Sequence, residues 1–432
     1  MSQLEKLNNN HKEKAILVGV GLSDSSTHDV EESLAELGRL ADTAGAEVIG
    51  EVTQYRNSPD AAYFIGKGKA EQIANLSKGS EASSIIFDAE LSPAQTRNLE
   101  QVIESKIIDR ARLILDIFAL HAQSKEAMLE VELAQLEYQL PRLTRMWTHL
   151  SRQVSGAGTR PGGIGTRGPG EKQLEIDRML VRNRMSRLKT DLEKIKQNRQ
   201  VERGGRGDMF TIALVGYTNA GKSTLLNTLA DENVYTDDKL FATLDSTTRV
   251  VHVTDYHDIL LTDTVGFIKR LPHHLIASFR ATLEEVNEAN MLMHVVDVSQ
   301  PGIKERIEAV DKVLKELDAD EKPTLMVFNK IDSMEDSVDM TVIKHEYPDH
   351  VAISAINGQG IDELKTRLLD SVTVNEIEID VTIPQKEGQI VNYIYEHGEV
   401  IERQFKGSSV YMRAKMDRKY AGKLEKYMAA VS

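Results

Sequence analysis

Gly216-Tyr217-Thr218-Asn219-Ala220-Gly221-Lys222-Ser223-Thr224 contains a complete phosphate-binding loop, with glycines at both ends of the turn and lysine and serine after it. The run Met209-Phe-Thr-Ile-Ala-Leu-Val215 before it is apolar and rich in branched residues, as a buried strand is. Lys222 to Ala230 has helical composition. Strand, glycine loop and helix is the order the motif needs. Gly216 and Gly221 allow the backbone to turn its amides inward as a nest for phosphate oxygens. The helix N-terminus adds its positive end. In this geometry Lys222 reaches the β- and γ-phosphates and the Ser223 hydroxyl ligates Mg²⁺, with Tyr217, Thr218, Asn219, Ala220 and Thr224 completing the loop's candidate contacts.

The companion motifs follow in order. His257-Asp-Ile-Leu-Leu-Thr-Asp263 reads as a strand ending in an acid, and Asp263-Thr264-Val265-Gly266 matches Asp-x-x-Gly. There the acid acts on Mg²⁺ through water and the Gly266 amide faces the γ-phosphate. Met291–Asp297 and Thr324–Phe328 read as two further buried strands. Asn329-Lys330-Ile331-Asp332 stands at the carboxyl end of the second, where open α/β sheets bind ligands. A carboxylate at Asp332 accepts from both N1–H and the exocyclic amine of guanine, and adenine would leave it unpaired. Ser354-Ala355, after Val351-Ala-Ile353, fits the loop whose amide meets the guanine carbonyl. The expected activity is hydrolysis of GTP to GDP and phosphate.

Switch I needs a threonine for Mg²⁺ and the γ-phosphate. Thr243, Thr247 and Thr248 are candidates, and spacing favours Thr243. Many GTPases carry glutamine directly after Asp-x-x-Gly to orient water. This chain has Phe267, so unaided hydrolysis is expected to be slow. His252, His257, His273 and His274 are weaker catalytic candidates nearby.

The chain has 432 residues and no cysteine, so disulfides and sulfur-ligated metal sites are excluded. Its beginning resembles no signal peptide and no stretch is apolar enough to span a membrane, so a cytoplasmic location is expected. A monomer is the expected state. The net charge is −14, yet residues 142–206 hold 16 Lys and Arg against 6 Asp and Glu. A basic segment in an acidic chain signals an interaction with nucleic acid. Its centre, Gly156 to Gly170, is glycine-rich and free of acids, and it presents Arg160 and Arg167 for phosphate contact. A plain solvated linker is the alternative.

Helical patterns flank that loop. Glu126–Leu140 places Met128, Val131, Leu133, Leu136 and Leu140 near one face, and Glu171–Arg199 carries Leu174, Met179, Val181, Leu188, Leu192 and Ile195. An antiparallel helical hairpin with the basic loop at its tip follows. Upstream, strands Ala15–Val20 and Ser84–Asp88 alternate with helices Val30–Gly45 and Ala94–Glu104, a small parallel α/β domain. Gly19-Val-Gly21 and Gly66-Lys-Gly-Lys69 are weak phosphate-loop look-alikes. The last stretch reads as strand (374–383), helix (387–397), two strands (398–405 and 408–415) and helix (419–428), an α+β module. The expected fold class is multidomain α/β: an N-terminal α/β domain (1–120), a helical hairpin (121–204), a P-loop GTPase domain (205–373) and a small α+β C-terminal domain (374–432).

These motifs together resemble the HflX family of ribosome-associated GTPases, in the Obg-HflX superfamily. The resemblance rests on the phosphate loop, Phe241-Ala-Thr-Leu-Asp245, Asp263-Thr-Val-Gly-Phe267 and Asn329-Lys-Ile-Asp332. More specific are Val131-Glu-Leu-Ala-Gln-Leu136 with Pro141-Arg-Leu143, and Gly168-Pro-Gly-Glu171 leading into Leu174-Glu-Ile-Asp-Arg178. It covers nearly the whole chain. It implies binding to the large ribosomal subunit and its RNA, with the hairpin reaching toward the catalytic centre, and splitting or rescue of stalled or idle ribosomes. Large-subunit assembly and a GTP-regulated protein adaptor are the alternatives. Asn219 stands where related potassium-dependent GTPases bind the ion, which makes K⁺ a candidate cofactor beside Mg²⁺. Two departures stand out: Ser246 replaces a common proline, loosening switch I, and Leu120-His-Ala replaces a more usual basic sequence.

Overall fold

The computed structural model describes residues 12–23, 26–143, 169–203, 209–230, 240–241, 243–254, 256–270, 272, 283–300, 302–334 and 345–428, with the backbone alone for 169–173 and 200–203. Arg160, Arg167, His273 and His274 lie outside the described residues.

Strand β1 (Glu13–Gly21) is buried along most of its length, as its Ala15-Ile-Leu-Val18 run requires of a central parallel strand. It pairs with β2 (Ala46–Tyr55) on one side and β3 (Ser84–Phe87) on the other. β4 (Lys106–Asp109) joins β3, and the four-stranded sheet is parallel throughout. Helices Thr27–Thr43, Lys67–Ser80, Pro93–Ile103 and Arg110–His121 cover its two faces. Capping boxes at Ser26 and Ser92 fix where the first and third of them begin. The glycine look-alikes have packing roles. A Cβ on Gly19 would meet the Leu34 side chain at 2.9 Å, and one on Gly21 would meet the Tyr55 ring at 2.5 Å. The Gly66 amide donates to Gln54 Oε1 at 2.9 Å.

Helices Lys125–Leu143 and Pro169–Arg203 form the hairpin. Arg199 pairs with Glu126 and Lys189 with Glu137, so the helices run antiparallel. Only part of the expected apolar stripe is covered. Val131, Leu133 and Leu188 are buried, whereas Met128 and Met179 are more than half exposed. The base of the hairpin is seated on the next domain through ion pairs from Lys196 to Glu284 and from Arg199 to Glu285.

That domain is a six-stranded sheet of β5 (Phe210–Gly216), β6 (Thr247–Thr254), β7 (His257–Asp263), β8 (Met291–Asp297), β9 (Thr324–Asn329) and β10 (His350–Ala352). The order is β10-β9-β8-β5-β7-β6, and β6 alone runs antiparallel to its neighbour. All the parallel strands therefore end on one edge. The C-terminal sheet, β11 (Glu376–Pro384), β13 (Ser409–Asp417) and β12 (Gly398–Lys406), is antiparallel and is backed by helix Gly388–His397. The expected last helix is instead one α-turn, Arg418–Ala421, passing into a 3₁₀ segment, Gly422–Tyr427. Gly422, a poor helix former, stands at the change.

The N-terminal and GTPase domains share a core. Tyr217, Leu240, Phe241, Leu244, Val265 and Ile268 pack with Leu37, Ile114, Phe118 and Val131. At its edge Arg110, fully buried, donates through Nη1 to Asp88 at 2.6 Å and through Nη2 both to Glu36 and to the Lys269 carbonyl, the latter at 2.9 Å. Glu36 also accepts the Tyr217 hydroxyl. Removing one partner from such a network strands buried charge. Arg110→Ala is expected to cost about 3–5 kcal/mol of stability, read from urea unfolding followed by circular dichroism. An unshifted midpoint would show that the network gives no net stability.

Candidate nucleotide-binding site

The carboxyl edge of the six-stranded sheet gathers the motifs. β5 ends at Gly216, β7 at Asp263 and β9 at Asn329, each entering a turn at that edge. Glycine is required at two positions of the first of these turns. Gly216 has φ 151° and a Cβ there would lie 2.2 Å from the Val295 carbonyl oxygen. Gly221 has φ 88° and a Cβ would lie 2.3 Å from Asn329 Nδ2. Asn219, also left-handed at φ 59°, is a residue type that tolerates that region. Helix Lys222–Leu229 starts directly after the loop.

Lys222 is buried and its ammonium donates to the Gly216 and Tyr217 carbonyls at 3.1 and 2.9 Å. Burial pushes its pKa down to about 8, opposed by Asp263. Asp263 is also buried, and that desolvation raises its pKa, against the pull of Lys222 and the Ser223 hydroxyl. A phosphate would hold Lys222 charged, and a cation would hold Asp263 ionised.

Three oxygen-bearing side chains converge beside the loop. Ser223 Oγ donates to Asp263 Oδ2 at 2.5 Å and lies 2.7 Å from Thr243 Oγ1. Asp263 Oδ1 is buried without a hydrogen-bond partner. Two hydroxyls and a carboxylate with a spare oxygen are the hard-donor chemistry that suits Mg²⁺. Of the three threonines, Thr243 alone meets Ser223. Thr247 pairs with Asp263 along the β6–β7 ladder, and Thr248 bonds the Thr262 hydroxyl at 2.9 Å.

The Asp-x-x-Gly turn is sewn to the phosphate loop. The Phe267 amide donates to the Gly216 carbonyl at 3.0 Å, and the Thr218 amide donates to the Phe267 carbonyl at 2.7 Å. A Cβ on Gly266 would lie 2.7 Å from Thr218 Cα, so only glycine fits there. The Phe267 ring is buried with Val215, Leu283, Val286 and Val310. It is a core residue and offers nothing to a water.

At the other end of the site, Asn329 Nδ2 donates to the Ala220 carbonyl at 2.9 Å and its Oδ1 accepts the Ala355 amide at 3.0 Å. Asn329 thus ties the phosphate loop to the Ser354-Ala355 loop. Lys330, with φ 68°, pairs with Asp297 at 2.9 Å. Asp332 accepts from the Ser354 hydroxyl at 2.5 Å and from the Ser333 hydroxyl at 2.8 Å, and these bonds lower its pKa. Its carboxylate is therefore ionised and oriented at neutral pH.

Some motif residues point elsewhere. The Tyr217 hydroxyl crosses to Glu36 and accepts the Lys269 amide at 2.7 Å. Thr264 donates to the Leu214 carbonyl at 2.6 Å, and Val265 packs in the shared core. These three can serve a nucleotide through backbone only. His252 pairs with Asp258, and His257 with Glu376 of the C-terminal sheet. His257 begins β7, at the end opposite Asp263, so it is remote from the chemistry. Asp245, Glu36 and Arg110, which hold the loops, carry no motif signature apart from Asp245's place in Phe-Ala-Thr-Leu-Asp.

Comparison with known proteins agrees with this architecture. Four family models match in succession: GTP-binding GTPase N-terminal over 31–119, GTP-binding GTPase Middle Region over 121–206, 50S ribosome-binding GTPase over 211–330, and HflX C-terminal domain over 339–432. GTPase HflX of Escherichia coli K12 is 44% identical over 411 residues, covering 94% of this chain and 93% of its own length. GTPase HflX of Caldanaerobacter subterraneus subsp. tengcongensis is 42% identical over 407 residues, covering 94% and 91%. A crystal structure of a GTP-binding protein from Sulfolobus solfataricus in complex with GDP is 25% identical over 83% of this chain and 98% of its own, with a TM-score of 0.43, too low to add to the sequence match. Phosphate loop, shared motifs and near full-length similarity agree: this chain belongs to the HflX family of GTPases.

Proposed function

We propose that this GTPase acts on the large ribosomal subunit, where its GTP-bound form splits or rescues stalled or idle ribosomes and hydrolysis releases it. The hairpin carries this reading. Its second helix, Pro169–Arg203, holds 10 Lys and Arg against 6 Asp and Glu, and the chain between its helices adds further arginines and no acid. Its base is ion-paired to the GTPase domain. The matched 50S ribosome-binding description supports the same partner.

In the proposed reaction the loop amides and Lys222 hold the β- and γ-phosphates, and Gly266 offers its amide to the γ-phosphate. Ser223, Thr243 and, through water, Asp263 would hold Mg²⁺, which when bound neutralises charge on the phosphate oxygens. Asp332 reads guanine, with Asn329 and Ser354 setting its loop. No side chain at position 267 orients the water, so turnover is slow alone and is accelerated on the ribosome.

Sedimentation of intact ribosomes with the protein and a non-hydrolysable GTP analogue tests this. Conversion to free subunits is expected. Binding to large subunits without splitting would favour an assembly role. Replacing Arg160 and Arg167 with Ala is expected to weaken association and flatten its salt dependence, with GTP binding by the free protein intact. Unaltered salt-dependent binding would reduce that loop to a linker.

A further inference from the structure

Thr243 owes its place to residues outside the nucleotide site. Leu240 and Phe241 before it and Leu244 after it are buried in the core shared with the N-terminal domain. The Phe241 ring meets the Phe118 ring edge-on, with centroids 4.8 Å apart. Phe241 holds φ 57°, a region that a bulky side chain occupies only when its surroundings enforce it. Two residues past Thr243, the Asp245 carboxylate leaves the GTPase domain. Its Oδ2 accepts the Gln123 and Ser124 amides at 2.9 and 3.0 Å, and its Oδ1 accepts the Ser124 hydroxyl. Ser124 is the cap of the first hairpin helix: its hydroxyl oxygen accepts the Ala127 amide at 3.1 Å. A carboxylate at that helix start also lies at the favourable end of the dipole.

The geometry points to Asp245 as a positioning residue for the triphosphate state, fixing Thr243 against Ser223 and Asp263 by gripping the capped start of the hairpin. The inference rests on the proposed role of Thr243. Switch segments in GTPases are ordered by the γ-phosphate and Mg²⁺ and released on hydrolysis. An anchor that already holds Thr243 in place lowers the ordering cost of binding GTP and leaves GDP binding untouched. By the same bonds, where Thr243 sits and how the hairpin begins are one linked arrangement.

The full-length protein is titrated with fluorescent GDP and a fluorescent non-hydrolysable GTP analogue across a Mg²⁺ series. Asp245→Ala is expected to weaken the GTP analogue about tenfold and to raise the Mg²⁺ needed for its binding, with GDP affinity within twofold of the parent. Asp245→Asn is expected to recover most of the loss. Its amide oxygen still accepts the two backbone amides, and its amide nitrogen can donate to the Ser124 oxygen. Ser124→Ala, remote from the nucleotide, is expected to shift the same ratio in the same direction by less. Thr243→Ala separates the two ideas. Loss of the GTP preference in Thr243→Ala but not in Asp245→Ala overturns the anchoring role alone. No change in Thr243→Ala overturns the reading of the site beneath it. Equal weakening of both nucleotides in Asp245→Ala, with no rescue by Asn, would make Asp245 a general structural residue and overturn the inference.

Discussion

Asp332→Asn is expected to move this protein's preference from guanine to xanthine nucleotides. The Asp332 carboxylate is held by the Ser354 and Ser333 hydroxyls, which keep it ionised and aimed. An ionised carboxylate accepts from N1–H and from the exocyclic amine of guanine together. Asparagine keeps one acceptor and turns a donor toward that amine. Two charge-assisted bonds are lost or reversed, at about 1.5–3 kcal/mol each, which corresponds to a fall of about 10²–10⁴ in GTP affinity. Xanthine has a carbonyl where guanine has the amine, so the new donor finds an acceptor. Competition binding with GTP, XTP and ATP checks this. An unchanged order would remove Asp332 from base recognition. Ser354→Ala, which removes one of the two orienting hydroxyls, should weaken GTP in the same direction and by far less.

The parts legible in the sequence are those where chemistry forces residue type and spacing together. The phosphate loop needed glycines at two left-handed or closely approached positions, and the structure gives the reason in Val295 and Asn329. Spacing from the loop favours Thr243, and in the structure Thr247 and Thr248 lie in β6 while Thr243 meets Ser223. Phe267 read as unable to orient water, and its burial among Val215, Leu283 and Val286 supplies the physical counterpart.

Illegible parts depend on contacts between distant segments. β2 is an edge strand whose apolar run is interrupted by Glu47, Gly50 and Glu51, so its sequence carries no buried run. The hairpin stripe reads as continuous, yet Met128 and Met179 are only about half covered among the described residues. Tyr217 illustrates a deeper limit. The motif counts it as a loop residue near phosphate, but its hydroxyl is committed to Glu36, 181 residues away in sequence. Arg110 likewise joins Glu36, Asp88 and the Lys269 carbonyl from three separate segments. Periodicity cannot reveal such a network, since each member alone looks like a surface charge. Its consequence is functional: the phosphate loop and the segment after Gly266 are both tied to the N-terminal domain.

Hydrolysis is where that tethering and the missing glutamine meet. Single turnover by the isolated protein is expected to be slow, on the order of 10⁻³ s⁻¹ or below, as for GTPases without a supplied charge-stabilising group. Phe267 cannot leave its core position cheaply, because exposing a buried aromatic ring costs on the order of 2–3 kcal/mol. A stimulating group is expected from the partner or from a monovalent cation. Asn219 stands at the bend of the phosphate loop in a left-handed conformation, in the turn proposed to hold the β- and γ-phosphates. A K⁺ held there would offset developing negative charge as an arginine finger does. Rates are therefore compared in KCl and NaCl, with and without large subunits, for the parent and Asn219→Ala. Large subunits are expected to accelerate hydrolysis by at least about a hundredfold. The parent is expected to run faster in KCl, and Asn219→Ala to lose that difference while retaining GTP binding. Rapid turnover without subunits would overturn the dependence on a partner. Equal rates in the two salts would overturn the potassium role alone and leave the rest of the site as described.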